Sequence, residues 1–261
     1  MNPVKELTVD KLKVKIFDTR ADMGNDAAYE VSQTINELLK QKNMINIIFA
    51  AAPSQNEFLF TLSKVQGINW SRINAFHMDE YIGLTSNATE RFGNFLKERI
   101  FGEVSFNKVY YINGEAVDPI LEGHRYADIL TQFPPDIVCM GIGENTHIAF
   151  NDPYKADFND PYKVKVVNLD HASRQQQVND GCFANIDDVP VSAITLTVPT
   201  LLDATNIFCI VPGENKAQAV YHTLNEEVND RYPATILRNH KNAILYLDKE
   251  SASKLKGRYL I

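Results

Sequence analysis

Residues 136–153, DIVCMGIGENTHIAFNDP, place an apolar run directly before two glycines and a group of polar side chains. The run 137–140 has the continuous apolar character of a strand that is buried on both faces of a parallel sheet. The polar residues that follow are Glu144, Asn145, Thr146, His147 and Asp152. Ligands in open α/β sheets bind beyond the carboxyl ends of the strands, so a site is predicted here. A glycine turn with a surface histidine is the alternative.

A second polar group, HMDEY at 77–81, follows the strand-like run 72–76. Its adjacent carboxylates, Asp79 and Glu80, repel each other, and partial burial raises one pKa towards that of a general base. The alternative is that one of the two caps the following turn.

A third strand end lies in IIFAAAPSQNE, residues 47–57. The apolar strand leads into small residues, and Ser54 stands three positions before Glu57, which is the spacing of a helix capping box. Small residues let a ligand approach the backbone, and free N–H groups at a helix start favour an anion. This is not a Walker loop, because no Gly-Lys-Ser/Thr follows.

The composition limits the class of partner. The 261 residues carry a net charge of −7, and the Lys and Arg residues are scattered, which argues against nucleic acid or an anionic membrane as partner. Residues 1–15 lack a signal-peptide core, and no apolar run has the length of a membrane span. Cys139 and Cys209 lie in strand-like runs, as expected of buried thiols in a reducing cytoplasm. No Cys/His spacing indicates a zinc site.

Strand and helix patterns alternate along the chain. Strands are predicted at 44–50, 72–77, 107–112, 136–141, 163–168, 193–198, 206–212 and 242–247. Helices are predicted at 21–42, 56–66, 89–101, 116–131, 215–226 and 249–256. This alternation predicts a mostly parallel sheet with helices on both faces. The polar stretch 151–189 is predicted to be a partly mobile insertion over the site, with a solvated surface excursion as the alternative.

Four segments together resemble the glucosamine-6-phosphate deaminase/isomerase family, within a wider group that includes 6-phosphogluconolactonases. They are FHMDEYIGL (76–84), GIGENTHIAFNDP (141–153), AITLTVPTLLDA (193–204) and VPGENKAQAV (211–220). The segments MDEY and FNDP look like the deaminase branch. The resemblance spans most of the chain, from about residue 45 to 220. It implies a Rossmann-like α/β fold in one domain, 1–261, that uses no redox cofactor and no obligatory metal. The resemblance leaves open whether the chain forms a homo-oligomer.

The reaction that this resemblance implies converts a hexosamine 6-phosphate and water into a ketohexose 6-phosphate and ammonia. His147 is the expected ring-opening acid/base, since an imidazole pKa lies near neutrality. Asp79 matches the base that moves a proton between C2 and C1, and Glu80 is a weaker candidate for a substrate contact. Asp152 occupies the position of a glutamate that orients the histidine. Surface or turn positions are the alternatives for each.

The phosphate needs a local basic pocket in this acidic chain. By resemblance, Lys216 is the anchoring lysine, with a solvated helix lysine as the alternative. Ala51, Ala52, Ser54 and Gln55 are predicted to supply loop N–H and side-chain donors, and Gly143 and Glu144 are further predicted substrate contacts. Arg174 is the candidate for the family's lid arginine, and Arg91 is a possible substitute phosphate ligand. Either arginine is equally compatible with a surface charge.

The chain departs from the family pattern beside the histidine. Asn145 stands where the family has a second acid, and an amide cannot offset a positive charge on His147. Asp152 is shorter than the usual glutamate, and Thr146 replaces a glycine, so positive φ is not expected there. These changes are compatible with a shifted pH optimum, a different amino-sugar phosphate or a weaker enzyme. A 6-phosphogluconolactonase and a non-catalytic sugar-phosphate sensor are the alternatives. Lactone hydrolysis, however, needs no carbon-acid base such as Asp79.

Overall fold

The computed structural model describes residues 2–255. The strands are β1 (Lys5–Val9), β2 (Leu12–Phe17), β3 (Ile45–Phe49), β4 (Ile73–His77), β5 (Asp79–Tyr81), β6 (Lys108–Tyr110), β7 (Ile137–Met140), β8 (Val164–Asn168), β9 (Ser192–Leu196), β10 (Asn206–Val211) and β11 (Ala243–Asp248). The α-helices are α1 (Arg20–Gln41), α2 (Asn56–Lys64), α3 (Phe92–Leu96), α4 (Pro119–Gln132), α5 (His171–Asn179), α6 (Val198–Leu202) and α7 (Ala217–Asn225). A π-helical stretch, Lys97–Phe101, continues α3. The 3-10 helices are Pro53–Gln55, Trp70–Arg72, Ile186–Asp188, Glu214–Lys216 and Pro233–Asn239.

The main sheet has eight strands in the order β1-β2-β11-β10-β7-β3-β4-β6. Every neighbouring pair is parallel except β1 and β2, which form an antiparallel hairpin. The central strands are buried on both faces, which explains why their sequences are apolar throughout.

Helices cover both faces of this sheet. Ile47 and Phe49 pack in the same core cluster as α1 and α2, while Ile48 packs with α4 and α7 on the other side. Successive side chains of a strand point to opposite faces, so one strand contributes to both cores. The predicted α/β fold, mostly parallel and flanked by helices on both faces, is confirmed.

A separate three-stranded sheet, in the order β5-β9-β8, carries Asp79. Its pairs are antiparallel, and Asp79 lies opposite Thr195. The predicted strands 163–168 and 193–198 therefore do not belong to the parallel sheet. Their apolar patterns were compatible with either sheet, because periodicity does not identify the partner strand.

Other sequence predictions also change. The hairpin of β1 and β2 was not predicted, and residues 249–255 form turns where a helix over 249–256 was expected; residue 256 lies outside the described range. The segment 151–189 contains β8 and α5. In the range 2–255, no helix has both the length and the apolar character that a membrane crossing requires.

The parallel order determines where a site forms. Strands β10, β7, β3 and β4 are neighbours that run in one direction, so their carboxyl ends meet at one edge of the sheet. The three polar segments of the sequence follow β3, β4 and β7 at this edge, and the loop before α7 follows β10.

Candidate active site

A hollow that is partly open to solvent lies at this edge and encloses about 490 Å³ of space between atoms. Its lining brings together, from distant parts of the chain, the predicted residues Ala51, Ala52, Ser54, Asp79, Gly143, His147 and Lys216. Further lining residues are Ala50, Met78, Phe92, Gly141, Ile142, Ala149, Phe150, Gln176 and Gln177. Among the described lining residues there is one lysine and no arginine.

Asp79 lies at the start of β5 and is 6% exposed. Burial raises its pKa well above the usual aspartate value, and the charge of Glu80 raises it further. His77 holds the Asp79 backbone: its Nδ1 donates to the Asp79 carbonyl at 2.8 Å, and its Nε2 accepts from the Ile112 N–H at 2.9 Å. His77 itself is fully buried and is not part of the lining. Asp79 thus combines a backbone held by His77 with a carboxyl group of raised proton affinity.

Glu80 turns away from the hollow, unlike the predicted substrate contact. Its carboxylate accepts the N–H groups of Tyr81, Phe92 and Gly93 at 3.0, 3.1 and 3.0 Å, and the last two belong to the first turn of α3. The Arg91 guanidinium lies 3.7 Å from it. Strand alternation places neighbours on opposite sides, so adjacent carboxylates have different surroundings. Glu80 fixes the start of α3, which carries Phe92 into the lining.

His147 lies flat against Gly143, where a Cβ atom would come within 2.2 Å of the ring. Its backbone N–H and its Nδ1 both meet Asn145 Oδ1, at 3.1 and 2.7 Å. Burial is the main reason that the His147 pKa falls to about 4; nearby Lys216 lowers it too, and Asp152 opposes the change. At neutral pH the imidazole is therefore uncharged. This corrects the expectation of a pKa near neutrality and favours an initial role as a proton acceptor.

Asp152 lies behind His147 and outside the lining. Its Oδ1 accepts from Asn145 Nδ2 at 3.2 Å and forms a short hydrogen bond with the Ser173 hydroxyl. Its Oδ2 accepts the Asp170 N–H at 3.2 Å. The Asp152 Oδ1 atom is 3.5 Å from His147 Nδ1, beyond a good hydrogen bond. The Asp152 carboxylate is thus connected to the imidazole mainly through the side chains of Asn145 and Ser173, which contact both groups.

The Thr146 backbone has φ of +74°, a conformation that was not expected for a β-branched residue. Three hydrogen bonds hold it: its N–H donates to Gly143 at 2.9 Å, its carbonyl accepts from Ala234 at 3.0 Å, and its hydroxyl donates to the Asn145 carbonyl. Such strain costs about 1–3 kcal/mol and persists only where the surroundings impose it. The turn therefore retains the backbone shape that a glycine would adopt.

Lys216 ends the short 3-10 helix after β10 and is 4% exposed. Burial lowers its pKa, while Asp180 and Glu144 oppose this effect from a distance. Across residues 2–255, no group hydrogen-bonds to its ammonium and no carboxylate lies within ion-pair distance. A buried cation without a partner is costly, so an ammonium at the hollow is chemically suited to hold an anion.

Four other predicted contacts lie outside the lining. Gln55 is turned towards the Ile210 carbonyl at 3.1 Å, and Glu144 accepts from Asn215 at 3.0 Å. Arg174 donates to the carbonyls of Val189 and Ile186, and Arg91 pairs with Glu80 and Glu115. The structure therefore does not place either arginine at the phosphate position. The sequence does not reveal that the two guanidinium groups are already hydrogen-bonded, because their acceptors are backbone carbonyls and carboxylates from other parts of the chain.

Helix α5 supplies residues that the sequence analysis missed. Ser173 touches His147 and Asp152, Gln176 accepts the Glu144 N–H at 2.8 Å, and Gln177 lines the hollow. Their spacing of three and four positions puts them on one face of a helix. This spacing is visible in the sequence and is compatible with a helix. The segment 151–189 was nevertheless interpreted as an insertion because of its polar composition. Within the described range, no group of three or more His, Cys, Asp or Glu residues could hold a metal.

A family profile and individual relatives of known sequence place the chain in the same family. The sequence profile described as "Glucosamine-6-phosphate isomerases/6-phosphogluconolactonase" matches residues 18–246. A glucosamine-6-phosphate deaminase of an Exiguobacterium species is 33% identical over 234 residues, covering 90% of each chain. One from Streptococcus suis is 35% identical over 206 residues, covering 79% of this chain and 86% of the relative. The chain belongs to the glucosamine-6-phosphate isomerase/6-phosphogluconolactonase family.

Solved structures share the fold. A structure described as a monomeric glucosamine-6-phosphate deaminase superposes with a TM-score of 0.83 at 27% identity, covering 92% of this chain and 98% of that one. The 6-phosphogluconolactonase of Trypanosoma brucei gives a TM-score of 0.78 at 17% identity, covering 96% and 100%. At that lower identity the likeness concerns the fold alone.

The structural role of Glu80 is testable with Glu80→Gln. A glutamine side chain has one acceptor oxygen for the three N–H groups, so we expect the free energy of unfolding to fall by about 1–3 kcal/mol. Urea unfolding measures this change. Glu98→Gln, at an exposed position in the π-helical stretch, is the control and should leave stability unchanged. Equal stability of the two variants would contradict the conclusion that Glu80 stabilises the start of α3.

Proposed function

We propose that this chain converts a hexosamine 6-phosphate and water into a ketohexose 6-phosphate and ammonia. The observation that carries the proposal is one hollow that holds a buried carboxyl group with raised pKa, an uncharged imidazole and an unpaired ammonium: Asp79, His147 and Lys216. The deaminases among its relatives support the choice of an amino sugar.

Each group has a distinct chemical task. The Lys216 ammonium and the N–H groups of the loop 51–54 bind the phosphate. His147, which is uncharged, accepts the hydroxyl proton of the ring form and returns it to the ring oxygen, so that the sugar opens. Asp79, as carboxylate, takes the proton from C2 and delivers it to C1, because its raised pKa makes it the stronger base. Water then adds at the imine carbon C2, and ammonia leaves.

Three finer expectations accompany this proposal. Segment 151–189 acts as a cover of the site within one domain, and α5 supports this by contributing lining residues. A cytoplasmic location fits Cys139, Cys182 and Cys209, which are all free thiols. The raised affinity of Asp79 for protons favours the deaminase over the lactonase branch, since lactone hydrolysis breaks no C–H bond.

The direct experiment measures ammonia release from glucosamine 6-phosphate and galactosamine 6-phosphate, alongside hydrolysis of 6-phosphogluconolactone. We expect ammonia and ketohexose 6-phosphate in equal amounts from at least one amino sugar. Lactone hydrolysis without ammonia would favour the lactonase alternative. Tight binding without turnover of any of the three would favour the sensor.

Asp79→Asn should abolish isomerisation but retain binding. Removing the base lowers kcat by about 10²–10⁴-fold, whereas the amide occupies the same volume. Calorimetry with an alcohol analogue of the sugar phosphate measures affinity, and Asp128→Asn, an exposed site on α4, is the control. Loss of analogue binding would show that Asp79 is a scaffold residue.

Lys216→Met should weaken the phosphate site selectively. Loss of a buried charge partner weakens the binding of phosphorylated sugars by about 100-fold. The binding of unphosphorylated glucosamine should change little, and Lys97→Met at an exposed position is the matched control. An equal loss for phosphorylated and unphosphorylated ligands would contradict the assignment.

Asn145→Asp should shift the pH dependence of kcat/KM. A carboxylate at Nδ1 stabilises the imidazolium and so raises the pKa of His147. Because the proton acceptor must be uncharged, activity is lost below this pKa, and the acidic limb should move to higher pH. An unchanged pH profile would discount the role of position 145.

A further inference from the structure

We propose that Ser173 is a positioning residue that links the Asp152 carboxylate to the His147 imidazole, in place of the acid that position 145 lacks. The inference rests on the proposed function for its catalytic meaning. Its structural basis is one buried hydroxyl that contacts both side chains: Ser173 Oγ lies 3.0 Å from His147 Nδ1 and donates to Asp152 Oδ1.

The orientation of Asn145 determines which imidazole nitrogen carries the proton. The His147 backbone N–H can only donate, so the Asn145 atom 3.1 Å from it must be the amide oxygen. The same oxygen lies 2.7 Å from His147 Nδ1, so Nδ1 must carry a hydrogen. In an uncharged imidazole, Nε2 is then the acceptor. The base function therefore belongs to Nε2.

The Ser173 hydroxyl has one proton and three polar neighbours: His147 Nδ1, Asp152 Oδ1 and, at 3.5 Å, Asn145 Nδ2, which can only donate to it. The amide nitrogen of Asn145 and the N–H of Asp170 already point at Asp152, and Ser173 adds the third donor to this carboxylate. With its proton directed to Asp152, the Ser173 oxygen is left as an acceptor. The single hydrogen on Nδ1 is then shared between Asn145 Oδ1 at 2.7 Å and Ser173 Oγ at 3.0 Å. A chain of hydrogen bonds thus runs from Nδ1–H through Oγ to the carboxylate, which itself is 3.5 Å from Nδ1.

This chain matters when Nε2 takes a proton from the substrate. The imidazole becomes positively charged in a buried place, and a hydroxyl polarised by a carboxylate stabilises that charge. No bond to Ser173 forms or breaks, and the Nδ1 proton stays on the ring. Ser173 itself is 1% exposed and lies in the first turn of α5, so the helix fixes its oxygen against the ring.

Other charges also act on the imidazole and must be held constant in a test. Those that raise its proton affinity are Asp152, Asp170 and Asp180, and Lys216 lowers it. Asp79 faces the same hollow. Ser173→Ala removes none of these charges, and Asp152 keeps its donors from Asn145 and Asp170, so the variant breaks only the hydrogen bonds of the Ser173 hydroxyl.

The experiment compares Ser173→Ala, Ser173→Thr and Ser32→Ala in the full chain. Ser32 is a matched control, since it is a serine of α1 that is 4% exposed and whose hydroxyl donates to the Tyr29 carbonyl. NMR follows the His147 ring against pH, and ammonia release gives kcat and KM. In Ser173→Ala we expect the His147 pKa to fall by about 1 and kcat to fall by about tenfold at unchanged KM. Threonine should restore both.

The ring titration needs no substrate, so it tests the link even if no hexosamine phosphate is turned over. In that event the proposed reaction fails, while a lower His147 pKa in Ser173→Ala still supports the link. A titration equal to that of Ser32→Ala would overturn the proposal whatever happens to kcat, because Ser173 would then act through packing alone. A folded threonine variant that titrates like Ser173→Ala would also overturn it.

Discussion

The parallel arrangement of β10, β7, β3 and β4 is the constraint on which the site depends. These strands run in one direction, so residues as far apart in the chain as Ala51 and Lys216, 165 positions, meet at one edge. Strand β5 of the separate antiparallel sheet supplies Asp79 to the hollow at this edge. Without the common strand direction, Asp79 and Lys216 would not share a hollow.

Burial shifts the three titratable groups of the hollow towards their uncharged forms. It raises the pKa of Asp79 and lowers the pKa values of His147 and Lys216. A phosphate beside Lys216 would favour the charged ammonium again, so binding and charge are coupled at this position. The same burial makes the carboxylate of Asp79 a stronger base and keeps His147 ready to accept a proton. One physical cause thus prepares the site both for an anion and for proton transfer.

The residues beside His147 hold the imidazole in one orientation. The Asn145 oxygen contacts the ring, the Thr146 backbone adopts a positive φ, and Asp152 is bound by Ser173. The Thr146 N–H donates to the Gly143 carbonyl, and the Ala234 N–H donates to the Thr146 carbonyl, so both backbone groups of the strained residue are bound. Together these contacts give His147 a defined orientation.

The sequence by itself determined the α/β class, most strand and helix positions and the motifs around Asp79, His147 and Lys216. These follow from local periodicity and from short motifs, which act within a few residues. Only the tertiary structure decided that β8 and β9 form a sheet separate from the main one. It also decided that Arg174 donates to backbone carbonyls and that Ser173 contacts His147. Such facts depend on which distant groups meet, and partner choice is a property of packing that no local pattern encodes. The burial that shifts the pKa values arises in the same way, since it requires the whole chain to enclose the site.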